Sequence, residues 1–171
     1  MIKQRIYNKL TQLAPDLLKH IDAGKDYGKS KLSPPFIDLN LDYLGKTGNG
    51  RYVVVALSHY FEMNGDLIPD PDMQIRIDTK TQTAEAMTFQ NQFLYQEIPS
   101  GPEKETEANK KLQRELDDFL DGWLSNALAQ GHRINLAQAE LESDVPDTEE
   151  KRTNELGDSR RSKGKDKGIE R

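Results

Sequence analysis

The stretch "FIDLNLDYL", residues 36–44, decides the fold. Ile37, Leu39, Leu41 and Tyr43 alternate with Asp38, Asn40 and Asp42. A period of two places successive side chains on opposite faces, so this stretch predicts a strand with one buried and one solvated face. Downstream, "GKTGNG" (45–50) supplies turn residues for a hairpin into residues 51–63, where β-branched and aromatic side chains dominate. Further on, Met73, Ile75 and Ile77 alternate with Gln74, Arg76 and Asp78. A polar turn at "TKTQ" (79–82) leads into a strand over 83–91, with Met87 and Phe89 as its expected inward pair. Four strands with short polar connections predict an antiparallel meander.

Both flanks of this region change period. Ile2, Ile6, Leu10, Leu13, Leu17 and Ile21 recur at steps of three and four, laying one apolar stripe along a helix. Pro15 removes a backbone donor and crowds the preceding turn, so a kink or a fresh start is expected there, with Gly24 ending the element. Leu112, Leu116, Phe119, Leu120, Trp123, Leu124 and Leu128 form a second helical stripe. Ser100 with Glu103 reads as its capping box and Gly131 as its stop. The expected fold is α+β: an N-terminal helix, a four-stranded antiparallel meander and a long C-terminal helix packed on the sheet. It forms a single domain over residues 1–137.

Residues 138–171 are expected to be a disordered tail. Their only large aliphatic residues are Leu141, Val145, Leu156 and Ile169, too sparse to offset a chain entropy of about 1–2 kcal/mol per ordered residue. The charge there is split: residues 138–158 hold eight acidic and two basic side chains, and residues 159–171 six basic and two acidic. "SRRSKGKDKG" (159–168) is the one stretch suited to nucleic acid, but no aromatic residue is interleaved to stack on bases, which favours a solubilising role.

Whole-chain composition narrows the function classes. With no cysteine in 171 residues, disulfides, thiolate nucleophiles and cysteine metal sites are excluded. The longest purely apolar run, residues 52–57, is far short of the ~20 residues that span a bilayer. Lys3 and Arg5 are followed by no signal-peptide core. The expectation is a soluble cytoplasmic protein without membrane contact. A net charge of −5 opposes general attraction to phosphate backbones. No phosphate loop, nucleophile elbow or His-Glu-x-x-His motif is present, and no cofactor is implied.

One stretch concentrates reactive side chains: "SHYFEMNGDLIPDPDM", residues 58–73. Its candidate functional residues are His59, Tyr60, Glu62, Asn64, Gly65, Asp66, Asp70 and Asp72. On a regular strand, Val53, Val55, Leu57, His59, Phe61 and Met63 share one face, and His59 and Glu62 point apart. His59 is therefore expected as a hydrogen-bonded core or rim residue. Pro71 biases Asp70 toward extended backbone, which would let Asp70 and Asp72 point the same way and hold a hard cation. Calcium takes about six to eight oxygens, more than this stretch offers. A simpler reading is a loop in which Asn64 and Gly65 form a tight turn, while the prolines and acids stop further pairing. His20 and His132 sit near helix ends, where a cation complements the helix dipole, and neither shows an evident partner.

Together, "HYFEMNGDLIPDPDMQIRID" (59–78), "AEAMTFQNQFLYQEI" (84–98) and "LDDFLDGWLSNALAQGH" (116–132) resemble a bacterial domain family of unknown function often carried on plasmids and other mobile elements. The likeness covers roughly Arg51 to His132. The order of sheet elements followed by a Trp-Leu helix is also similar to a second family, of small enterobacterial cytoplasmic proteins. The resemblance implies a bacterial accessory protein and carries over no catalytic residue. Two function classes follow. One is a non-enzymatic interaction protein with a protein partner, also compatible with a homodimer. The other is a metal-dependent hydrolase or nuclease using His59, Glu62, Asp66, Asp70 and Asp72.

Overall fold

A computed structural model of the chain describes residues 1–136, so the expected tail lies outside the described residues. Helices α1 (Ile2–Leu13) and α2 (Leu17–Asp22) come first. Strands β1 (Tyr27–Ser30), β2 (Leu39–Thr47), β3 (Tyr52–Met63), β4 (Asp66–Asp78), β5 (Thr83–Ala86), β6 (Thr88–Gln90) and β7 (Tyr95–Glu97) follow. A 3₁₀ turn over Gly101–Glu105 leads into α3 (Glu107–Gln130). The antiparallel sheet runs β1-β2-β3-β4-β6-β7, with β5 also paired to β4. No helix among the described residues is long and apolar enough to cross a membrane.

The α+β class and the N-terminal helix stand, but the sheet has seven strands among the described residues rather than four. β1 and β7 are four and three residues long and carry no alternation that a period search could detect. The single strand expected over 83–91 is broken near Met87, where the register against β4 shifts by one residue. Its inward side chains are Ala84 and Ala86, opposite Ile77 and Ile75. Met87 is not fully buried, and Phe89 packs edge-on against Phe119 at 5.1 Å. Ile37, expected inward, is exposed because β2 begins two residues later.

The core lies on one face of the sheet. Ile6, Leu10 and Leu13 of α1 pack with Leu116, Leu120, Trp123 and Leu124 of α3 over Leu41, Val55, Leu57, Met73 and Ile75. At Pro15 the chain breaks rather than bends: Asp16 is left-handed, and α2 resumes the stripe with Leu17 and Ile21. α3 lies chiefly along α1 and meets the sheet at β5, so it packs on a helix more than on the sheet. Arg5 and Lys9 on α1 both reach Asp121 on α3, at 3.1 and 2.6 Å.

The cap of α3 also differs from expectation. Thr106 accepts the Asn109 N–H at 3.3 Å, while Ser100 makes no side-chain cap and instead precedes the 3₁₀ turn. Gly131, with φ 96°, stops the helix as expected. The chain then turns back, and Ile134 and Leu136 settle over Gly28 of β1. A Cβ at residue 28 would collide with both side chains, so this close approach requires glycine.

Candidate functional site

Residues 58–73 are strand almost throughout. β3 and β4 pair from Tyr52↔Asp78 to Met63↔Asp66, closed by Asn64 (φ 55°) and Gly65 (φ 86°). Positive φ at both central residues is the two-residue hairpin turn that Asn-Gly favours. The tight turn is as expected, but the prolines and acids do not stop the pairing. They are absorbed by a bulge: Ser58 pairs with Asp72 and Tyr60 with Pro69, so Asp70 and Pro71 together oppose His59.

The bulge divides the eight candidates into three groups. His59 faces the helices, its Nδ1 2.8 Å from the Asp38 carbonyl and its ring 5.5 Å from that of Trp123. A carbonyl only accepts, so Nδ1 carries the proton. This is the hydrogen-bonded rim histidine that strand alternation predicts. Tyr60 and Asp72 lie on the opposite face, joined by a 3.1 Å hydrogen bond from the Tyr60 hydroxyl. Glu62, Asn64, Gly65, Asp66 and Asp70 are exposed toward the hairpin tip. At the bulge Asp70 is exposed and Asp72 half-buried. Among the described residues, no three His, Asp or Glu side chains are grouped to hold a metal ion.

Tyr60 and Asp72 instead join residues that sequence reading left aside. With Asp26, Tyr27, Asp42, Tyr43, Leu44, Ala56 and Gln74 they line a concavity of about 460 Å³ on the sheet face away from the helices. Register builds it: Asp42 pairs with Tyr27 and with Ala56, which faces Gln74. Burial raises the pKa of Asp42, and the nearby Asp72 and Asp26 add to the shift. Burial also raises Asp72, which the Tyr60 hydrogen bond partly offsets. The phenols of Tyr27 and Tyr60 are raised as well, mainly by burial. No local pattern flags this grouping, because its members come from four strands.

Two buried acids also escape sequence reading. Glu85 on β5 is bound by Lys3, Arg76 and Lys104. Burial pushes its pKa up, but Lys3 and Lys104 outweigh that and bring it down to about 2. Asp117 on α3 accepts the Ala86 N–H at 2.8 Å and the Gln113 amide at 3.0 Å, and burial raises its pKa. Both join helices to the sheet edge. His132, expected without a partner, is fully buried with Nδ1 3.0 Å from Ser30 Oγ.

A family model described as "Domain of unknown function (DUF6908)" matches residues 5–133. The chain belongs to this family. The DUF6908 match runs from α1 through the turn after α3, so it takes in the helices and strands described above. No curated protein and no solved structure matches the chain.

Proposed function

We propose that this DUF6908 domain is a non-enzymatic interaction module, an accessory protein of a bacterial mobile element that engages a protein partner. The observation that carries the reading is where exposed apolar side chains gather. Among the described residues eleven large hydrophobic side chains are exposed, and seven of them, Phe36, Ile37, Met63, Leu67, Phe93, Leu94 and Tyr95, belong to one end of the sheet. Phe36 and Ile37 precede β2, which starts opposite His59. Met63 and Leu67 flank the β3–β4 turn, and the β6–β7 connection emerges beside Asp72. Phe93 is 86% and Leu67 70% exposed. Single exposed apolar residues are ordinary, but several at one end of a fold mark a contact surface. The resemblance to plasmid-borne domains supplies the biological setting. The hydrolase reading requires its five residues around one point, whereas His59 and Asp72 lie on opposite faces.

The test uses the full chain and a Leu67→Ser, Phe93→Ser variant. Neither side chain is buried, so the melting temperature should stay within about 2 °C. Expected is a host protein that co-purifies stoichiometrically with the wild type and is lost with the variant. A partner held equally by both proteins would move the contact elsewhere. Sedimentation that shows a wild-type dimer and a monomeric variant would make the partner a second copy.

A further inference from the structure

We propose that residues 132–136 form a strap that mild acid releases from the sheet. Ile134 donates its N–H to the Leu13 carbonyl at 2.8 Å, and His132 is buried against β1. Ile134 and Leu136 fill the space over Gly28. The neutral imidazole fits this place closely. Ser30 Oγ accepts the Arg133 N–H at 3.1 Å and has one proton to give, which His132 Nδ1 can accept at 3.0 Å. That leaves the ring proton on Nε2, an atom that is buried without a hydrogen-bond partner among the described residues. The other tautomer would leave the serine hydroxyl proton unplaced as well, so it satisfies fewer groups.

Protonation breaks this arrangement. With both ring nitrogens as donors, Ser30 would have to accept twice and turn its own proton away, while the Nε2 proton still finds no acceptor. The buried charge has little compensation. From β3, His59 presents a second imidazole 5.8 Å away, ring to ring. Ahead of β2, Asp38 supplies, among the described residues, the carboxylate that favours the cation, and Lys29 of β1 already binds it at 3.0 Å. The strap's own Arg133 guanidinium bonds the His132 carbonyl and adds positive charge. From α3, the nearby aromatic is Trp123, which contacts His59. Burial first, and His59 second, hold the His132 pKa below its ordinary 6.5, with Asp38 opposing them.

The sign follows. An open strap returns His132 to its ordinary value, so below pH 6.5 the open form binds more protons and is favoured. Opening should rise by up to about tenfold per pH unit below 6.5, until the closed form itself titrates. What opens is the slot over Gly28 beside Leu13, together with the anchor from which residues 137–171 continue.

The experiment is amide exchange on the full chain between pH 7.5 and 5, expressed as protection factors. Expected is a loss of protection at Ile134 that grows as pH falls below 6.5, by up to about tenfold per pH unit, with Val55 and Ile75 in the sheet centre unchanged. In His132→Asn, which keeps a polar partner for Ser30 and cannot titrate, Ile134 should not respond to pH. An unchanged wild-type Ile134, or the same loss in His132→Asn, overturns the proposal. A response that survives in His132→Asn and vanishes in His59→Asn also overturns it, by making His59 the sensor. If His132→Asn does not fold, the wild-type imidazole resonances decide. His132 must titrate below 6.5 as Ile134 loses protection, and a His132 that titrates at or above 6.5 refutes the strap.

Discussion

Below the bulge at Asp70 and Pro71, the β3–β4 hairpin sets Val53, Val55 and Leu57 opposite Ile77, Ile75 and Met73, and all six are buried. Beyond it the same ladder carries Met63 and Leu67 into solvent. Backbone pairing resumes beyond the bulge, so strand formation does not separate the two halves. The separation comes from the second layer. Side chains of α1 and α3 cover the base, and Trp123 meets His59 at the boundary. Alternation chooses a face for each residue, but a face is buried only where another element supplies apolar surface to meet it.

Four experiments probe that contrast, and the largest effect belongs to the covered half. Trp123→Ala should cost about 3–5 kcal/mol by chemical denaturation, and Leu67→Ala at the tip under about 0.5 kcal/mol. Equal costs at the two sites would erase the distinction between base and tip. Next is the clamp on the base, where Arg76 of β4 and Lys3 of α1 meet Glu85. Glu85→Gln should cost up to about 3 kcal/mol at pH 7, from the gap between its ordinary pKa and about 2. A carboxyl lowered by folding stabilises above its unfolded pKa. This contribution should therefore be intact above pH 4.5 and fade as pH falls toward 2, which a series of denaturation curves in acid would read.

Third is the turn that closes the exposed half. Gly65 has φ 86°, where a β-branched side chain is strained, so Gly65→Val should cost about 1–2 kcal/mol although nothing packs there. A neutral outcome in the melting curve would mean that the turn is not set by its left-handed backbone. The smallest effect is expected from Asp70→Asn with Asp72→Asn. Folding raises the Asp72 pKa, so its charge opposes the folded state near pH 7, and the double variant should be as stable as the wild type or slightly more. The difference should shrink on acidification, as Asp72 takes up its proton. Magnesium, manganese, calcium and zinc should leave both melting temperatures unchanged. A cation that stabilises only the wild type would reveal a site at the bulge.

How far these features could be read from sequence depends on how local their cause is. The stripes of α1 and α3 repeat over several turns, and the alternation at Leu39–Tyr43 and Met73–Ile77 over several residues, so period alone revealed them. Asn64 and Gly65 announced their turn because few residues tolerate that backbone. One failure is the cap of α3: Ser100-x-x-Glu103 reads as a capping box, but the 3₁₀ turn over Gly101–Glu105 follows it and Thr106 takes the role. The one-residue bulge opposite His59 carries no sequence mark that separates it from a loop, yet it decides which aspartate meets Tyr60.

The sequence by itself determined the α+β class, the long helices, the central strands and the Asn-Gly turn, since each follows from backbone preference or from a repeat within a few residues. Only the tertiary structure decided the partners of the polar groups. Asp72 shares a concavity with Asp42 and Tyr27 of two other strands, Glu85 gathers Lys3 from 82 residues before it and Lys104 from 19 residues after it, and His132 finds Ser30 after 102 residues. Hydrogen bonds and charges act over a few ångströms, and chain distance has no bearing on which groups come that close until register and packing bring the segments together.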